Sequence, residues 1–167
     1  MSANTYSISE TQSFLGQVFG NWVSDGQGGQ TWQVPKLTIY PFGYNITFTG
    51  LAQGTTQTSI LTITANADFV MFGSSYRANI AAAQNGSTKT AAFVRMLITD
   101  SGTNEQFTSA AVDLENYCTN SGDDRPLSYP RFVAGKSTLT IQVTNYAPTA
   151  ETYALDLFFD GVLVRKY

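Results

Sequence analysis

From Trp32 onward, apolar and polar positions alternate with the period of two that marks half-buried β-strands. Leu37 and Ile39, then Phe42, Tyr44, Ile46 and Phe48, predict two short strands joined at Pro41. Ile60–Ala65 sets Leu61 and Ile63 on one face and Thr62 and Thr64 on the other. Asp68-Phe-Val-Met-Phe-Gly73 reads as a further strand that stops at its glycine. Phe93, Arg95 and Leu97 oppose Val94, Met96 and Ile98, and both sides are largely apolar, as in a strand central to its sheet. Leu139, Ile141 and Val143 alternate with threonines and Gln142, and Tyr153, Leu155, Leu157 and Phe159 repeat the pattern. Asp160-Gly161 predicts a tight hairpin turn into Val162–Tyr167.

Before Trp32 the period changes. Phe14, Leu15, Val18, Phe19, Trp22 and Val23 recur at helical spacing behind a capping signal, Ser7-x-x-Glu10 or Ser9-x-x-Gln12. Gly16 and Gly20 weaken this helix by about 1 kcal/mol each against alanine. Ser24–Gly29 then reads as a flexible breaker. The chain therefore divides into an N-terminal arm, residues 1–29, and a β-domain, residues 30–167. An aromatic arm of this kind either packs on its own domain or docks on a neighbouring subunit.

The expected fold is all-β: an antiparallel β-sandwich of jelly-roll type with an N-terminal arm or short helix. An immunoglobulin-like sandwich is the other candidate, without its paired cysteines. The long connections over residues 100–136 fit the crossing loops of a jelly roll better. Residues 93–145 read as two alternating strands around a long loop punctuated by Pro126 and Pro130.

Composition narrows the chemistry. The 167 residues carry 12 acidic and 9 basic side chains, a net charge of −3, with no basic patch, which argues against a nucleic-acid partner. There is no histidine, and Cys118 is the single cysteine, so a Ser-His-Asp triad is impossible and a cysteine–histidine pair or zinc site is hard to build. Cys118 itself reads as a small residue partly buried in a loop. The start of the chain lacks a signal-peptide pattern, no run approaches the roughly 18 apolar residues of a membrane span, and folding in a reducing cytoplasm is expected. Asn45-Ile46-Thr47 and Asn85-Gly86-Ser87 match the glycosylation sequon but read as strand and turn residues.

Asp100, Asp113, Glu115, Asp123 and Asp124 are the one carboxylate cluster close in sequence. Asp100-Ser-Gly is a turn signature, and Asp123-Asp124-Arg125-Pro126 reads as a solvated loop pairing with its own arginine. The spacing of a calcium loop is absent. No cofactor, metal or membrane is implied. The chain has 9 tyrosines and 2 tryptophans, the raw material of a glycan site, although core and interface filling is the simpler use of them.

One order of features remains. An alternating strand ends in Ile98-Thr-Asp100; Asp113-Leu-Glu-Asn116 leads into Arg125-Pro126-Leu127; Pro130-Arg131-Phe132 follows, then Ser137–Asn145. Upstream, Thr62–Phe69 precedes an apolar run. Over about residues 55–167 this order resembles the jelly-roll decoration, or cement, proteins of tailed bacteriophage heads.

The resemblance implies a non-enzymatic structural protein. It would bind the outer surface of a lattice of major capsid protein as a homo-oligomer, dimer or trimer, after synthesis in the host bacterial cytoplasm. Phe14, Phe19, Trp22, Trp32, Arg125, Arg131 and Phe132 are the candidate partner-contacting residues. Arg131 would bond carbonyls or a carboxylate, either across an interface or within its own loop. A carbohydrate- or receptor-binding module of a virion fibre or tail is the alternative, and a glycan hydrolase a more distant one.

Overall fold

The computed structural model describes residues 8–80, 91–120 and 125–166; Ser7, the sequon at Asn85 and the Asp123-Asp124 pair lie outside them. Helix α1 (Ile8–Phe19) leads into a hairpin of β1 (Asn21–Ser24) and β2 (Gln30–Gln33). The long strands are β3 (Leu37–Ala52), β4 (Thr56–Thr62), β5 (Asp68–Ile80) and β6 (Val94–Asp100). Two short strands, β7 (Glu105–Gln106) and β8 (Val112–Asp113), precede helix α2 (Leu114–Tyr117) and β9 (Thr119–Asn120). Then come β10 (Arg125–Val133), β11 (Thr138–Asn145) and β12 (Thr152–Lys166).

These strands form two antiparallel sheets. The first has the order β10-β5-β12-β3, with β9 added in parallel beside β5. The second has the order β4-β11-β6, and β7 and β8 share the other side of β6 as one interrupted strand. In chain order the long strands, with β7–β8 counted as one after β6, fall to first sheet, second, first, second, second, first, second and first. That alternation between facing sheets is the double Greek key of a jelly roll. Between the sheets lies the main core, with Leu51, Phe69, Leu139, Ile141, Val143, Tyr153, Leu155, Leu157 and Phe159 all fully buried. β6 has neighbours on both sides, as its two apolar faces predict.

Four expectations are corrected. The stretch from Leu37 to Phe48 belongs to one strand, because β3 is an edge and Pro41 can turn its missing donor side away from β12. Asp160-Gly161 is not a hairpin turn: β12 runs straight through it, pairing Val162–Lys166 with β3 and Val162–Val164 with β5 as well. Gly161 is there for close approach, since a Cβ would collide with the Val70 carbonyl and the Phe69 ring. Nor does β5 stop at Gly73; β5 carries one residue more than β12 between Met71 and Gly73, a β-bulge. Finally, the proline-punctuated loop contains short strands, α2 and the whole of β10, another edge strand where Pro126 and Pro130 are tolerated.

The arm forms a second, smaller core. Phe14, Leu15 and Phe19 of α1 are buried against Val70 and Val164 on the outer face of the first sheet, with Leu37, Phe72, Phe132 and Val162 around them. The helical pattern overran at its end. Gly20 closes α1, its N–H bonding the Gly16 carbonyl at 3.0 Å, and Trp22 and Val23 go into β1. The Ser24–Gly29 breaker is a structured turn: Asp25 Oδ1 accepts from the backbone N–H groups of Gln27 and Gly29, both at 2.9 Å. Residue 29, the expected end of the arm, falls inside this hairpin.

Candidate functional site

The two sheets leave an open side where β10, the edge of the first, faces the β7–β8 edge of the second. α1 crosses beside it. Between them runs a groove of about 600 Å³, walled by Phe14 and Val18 from the helix, Phe107 from the opposite edge, and Tyr129–Phe132 from β10. Tyr117, Asn116 and Thr108 close its remaining side.

Local packing fixes each wall. β10 pairs Arg131, Phe132 and Val133 with Met71, Val70 and Phe69, which buries Val133 in the sandwich and sets Phe132 under the helix. Phe19 meets Phe132 edge to face at 5.5 Å between ring centroids, and Phe14 meets Tyr129 at 5.4 Å. The Tyr129 hydroxyl also bonds Gln17 Oε1 at 3.3 Å. Aromatic pairs of this geometry contribute about 0.5–1.5 kcal/mol each beyond burial, so the helix and the Pro-Arg-Phe strand are held as one unit.

On the far side, buried Leu114 and Cys118 root α2 in the core, and Ser74 Oγ holds the Tyr117 carbonyl at 2.8 Å. The Tyr76 hydroxyl fixes Glu115 at 2.9 Å. Tyr117 is thereby presented to the groove on a rigid turn. Its Oη is buried with no hydrogen-bond partner. Burial pushes the phenol well above its ordinary pKa, against the opposing pull of Arg131, so it remains a neutral donor. Arg131 Nη2 donates to the Phe107 carbonyl at 3.2 Å, and its guanidinium lies 5.3 Å from the centre of the Phe107 ring.

The candidate residues thus sort into groups. Phe14, Arg131 and Phe132 line the groove, and Phe19 buttresses Phe132. Arg131 bonds a carbonyl of its own chain, within the region expected to hold it. Trp22 and Trp32 stand apart on the β1–β2 hairpin, 62% and 45% exposed, edge to face at 5.5 Å. Trp32 lies where a Cβ on Gly20 would be, so the hairpin folds back on the end of α1. The backbone of Arg125 pairs with Ser74 at the start of β10. Sequence reasoning missed Tyr117, Phe107 and Asn116, which no motif marks. The available signal was the resumption of apolar residues around Leu114.

The described carboxylates Asp100 and Asp113 serve the fold. Asp100 Oδ1 accepts from the Gly102 N–H at 2.8 Å in the predicted turn. Asp113 pairs with Arg95 at 3.3 Å, both about half exposed, a surface pair contributing at most about 1 kcal/mol. Among the described residues no three His, Cys, Asp or Glu side chains gather as a metal site. No described helix is long and apolar enough to cross a membrane. Cys118, expected to be partly buried in a loop, is 1% exposed in the main core.

No protein-family model matches this sequence, and no curated protein is similar to it. Among solved structures, the infectious bursal disease virus VP2 subviral particle is similar at a TM-score of 0.35 and 9% identity, over 87% of this chain. The chain spans 37% of the length of that protein. The jelly-roll assignment stands on strand order, and the likeness carries no function across.

Proposed function

We propose that this chain is a non-enzymatic structural protein of a bacteriophage head, a decoration protein seated on the outer surface of the major capsid lattice. The observation that carries the reading is the exposed Trp22–Trp32 pair on a hairpin anchored to α1. Two large indoles left in water on a structured support are the kind of side chain that dominates protein interfaces. They stand at the end of the same helix that walls the groove, so arm and β10 supply one contact side. A homo-oligomer, dimer or trimer, would multiply a modest interface through avidity. Outer-surface location in the virion and synthesis in the bacterial cytoplasm belong to the same proposal.

The test is sedimentation with phage heads that lack the protein. Wild type should pellet with them at a fixed copy ratio to the shell protein. Trp22→Ser with Trp32→Ser should pellet at least about tenfold less while melting at an unchanged temperature. Failure of wild type to pellet would end the decoration reading.

A second reading, a glycan- or receptor-binding virion module, draws on the aromatic walls of the groove beside Asn116 and Thr108. Specific glycan-array binding abolished by Tyr129→Ala would favour it.

A further inference from the structure

We infer that the groove between α1, β10 and the Phe107–Tyr117 segment is a receptor for a carboxylate borne on an apolar or aromatic stem, presented by a protein partner.

The inference begins with charge. Among the described residues, Arg131 is the sole charged side chain that lines the groove, with no Asp or Glu beside it. Its guanidinium has five N–H donors, and the hydrogen bond to the Phe107 carbonyl occupies one nitrogen. Tyr117 adds a phenol whose oxygen is buried without a partner, and a buried polar atom left so costs roughly 1–3 kcal/mol. Both groups donate, and a carboxylate accepts through two oxygens, matching a guanidinium and a phenol together. The molecule as a whole is acidic, at −3, so a cation held in this groove is a local exception to its surface charge.

Shape supplies the rest. Phe14, Phe107, Pro130 and Phe132 give the groove apolar walls that would take a hydrocarbon stem. Phe14 is braced by Tyr129 and Phe132 by Phe19, so little ordering of these side chains is needed on binding. A protein segment in which an acidic residue or chain end adjoins a Phe, Leu or Met side chain combines both features. A neutral sugar would leave the guanidinium without its counter-charge.

This deepens the proposed function by giving the partner's chemistry, and it rests on that reading only for the partner being a protein. The full chain, isotope-labelled, is titrated by NMR with 3-phenylpropionate and with 3-phenylpropanamide. The acid should shift Arg131, Phe107 and Tyr117 resonances saturably, and the amide should bind about tenfold more weakly. Arg131→Gln should erase that preference, and Tyr117→Phe should reduce it several-fold with no loss of melting temperature. Equal binding of acid and amide, or a preference that survives Arg131→Gln, would overturn the inference.

Acetyl-Gly-Phe-Glu-Gly-amide and acetyl-Gly-Gly-Phe with a free terminus then separate a side-chain source from a chain end; binding of either upholds the site. Glucuronate binding more tightly than both peptides would overturn the protein partner. The probes need no capsid, so their failure and a failure of head attachment are read independently.

Discussion

Asn145 shows how much one polar side chain can hold. It is fully buried; its Nδ2 donates to the Leu51 carbonyl at 3.0 Å and the Glu151 carbonyl at 2.9 Å, and its Oδ1 accepts from the Ala147 N–H at 2.9 Å. Three segments at one end of the sandwich meet on it. Asn145→Ala would leave these backbone groups without partners, and urea denaturation should record a loss of about 2–4 kcal/mol. In the sequence this residue is merely the polar end of an alternating strand, because a satisfied buried amide looks like an exposed one.

Tyr153 gives a pH-dependent counterpart. Burial, reinforced by the Glu151 carboxylate that accepts its hydroxyl proton, pushes Tyr153 up to about 12. A raised folded value means that the native state holds this proton more tightly than the unfolded chain does. The stabilisation is therefore complete below about pH 10, the ordinary tyrosine value, and is lost as the pH climbs towards 12. The urea midpoint should fall between pH 9 and pH 11.5, and Tyr153→Phe should lose less over that interval; equal losses would remove Tyr153 from the account. Tyr76 and Tyr117, also raised by burial, act in the same direction.

Among the elements, α1 is the one whose role changed most. Its apolar spacing predicts a helix, yet the same spacing suits an arm reaching to another subunit. What decides is the pair of valines it covers. Val70 and Val164 are 0% and 1% exposed on the outer face of the first sheet, and α1 buries them. Leu15→Ala should lower stability by about 2–4 kcal/mol in chemical denaturation, the cost of a buried leucine, and a loss under about 0.5 kcal/mol would show the helix to be a loose attachment.

The strands teach a related lesson about legibility. Alternation marked β6, β11 and much of β12 correctly, because one face of each lies on the core. Pro41 and Asp160-Gly161 misled because proline and glycine carry turn signals whose meaning depends on the neighbouring strand. On an edge the proline is harmless, and at a bulge the glycine makes room. The bracing of the groove by α2 and Ser74 was illegible for another reason: it depends on contacts between residues 43 positions apart.

At the scale of the molecule, three layers result: helix, first sheet and second sheet. The first sheet is therefore covered in part on both faces, and its outer apolar residues are intelligible only with the arm in place. A chain lacking residues 1–29 should bind 8-anilinonaphthalene-1-sulfonate more strongly and melt lower than the full chain, as exposed Val70, Val164 and Phe132 require. Unchanged dye binding and melting would mean that the second core contributes nothing. The jelly-roll class itself was legible from strand number and loop length, while the groove was not, since it exists only where two sheet edges and the helix come together.

The bulge in β5 has a consequence for how this chain can vary. Before it, Phe69 and Met71 face the main core, and after it Tyr76 and Ala78 do, so the buried set moves from odd to even positions. The extra residue acts as a frameshift in sidedness. If β5 paired there without the bulge and with every residue kept, strict alternation would turn Ser75, Arg77 and Asn79 towards the sandwich interior. Deleting one residue would instead keep Tyr76 and Ala78 inward. Substitutions along β5 are judged one side chain at a time, but a one-residue slip in pairing at Phe72 or Gly73 would be judged by the whole second half of the strand.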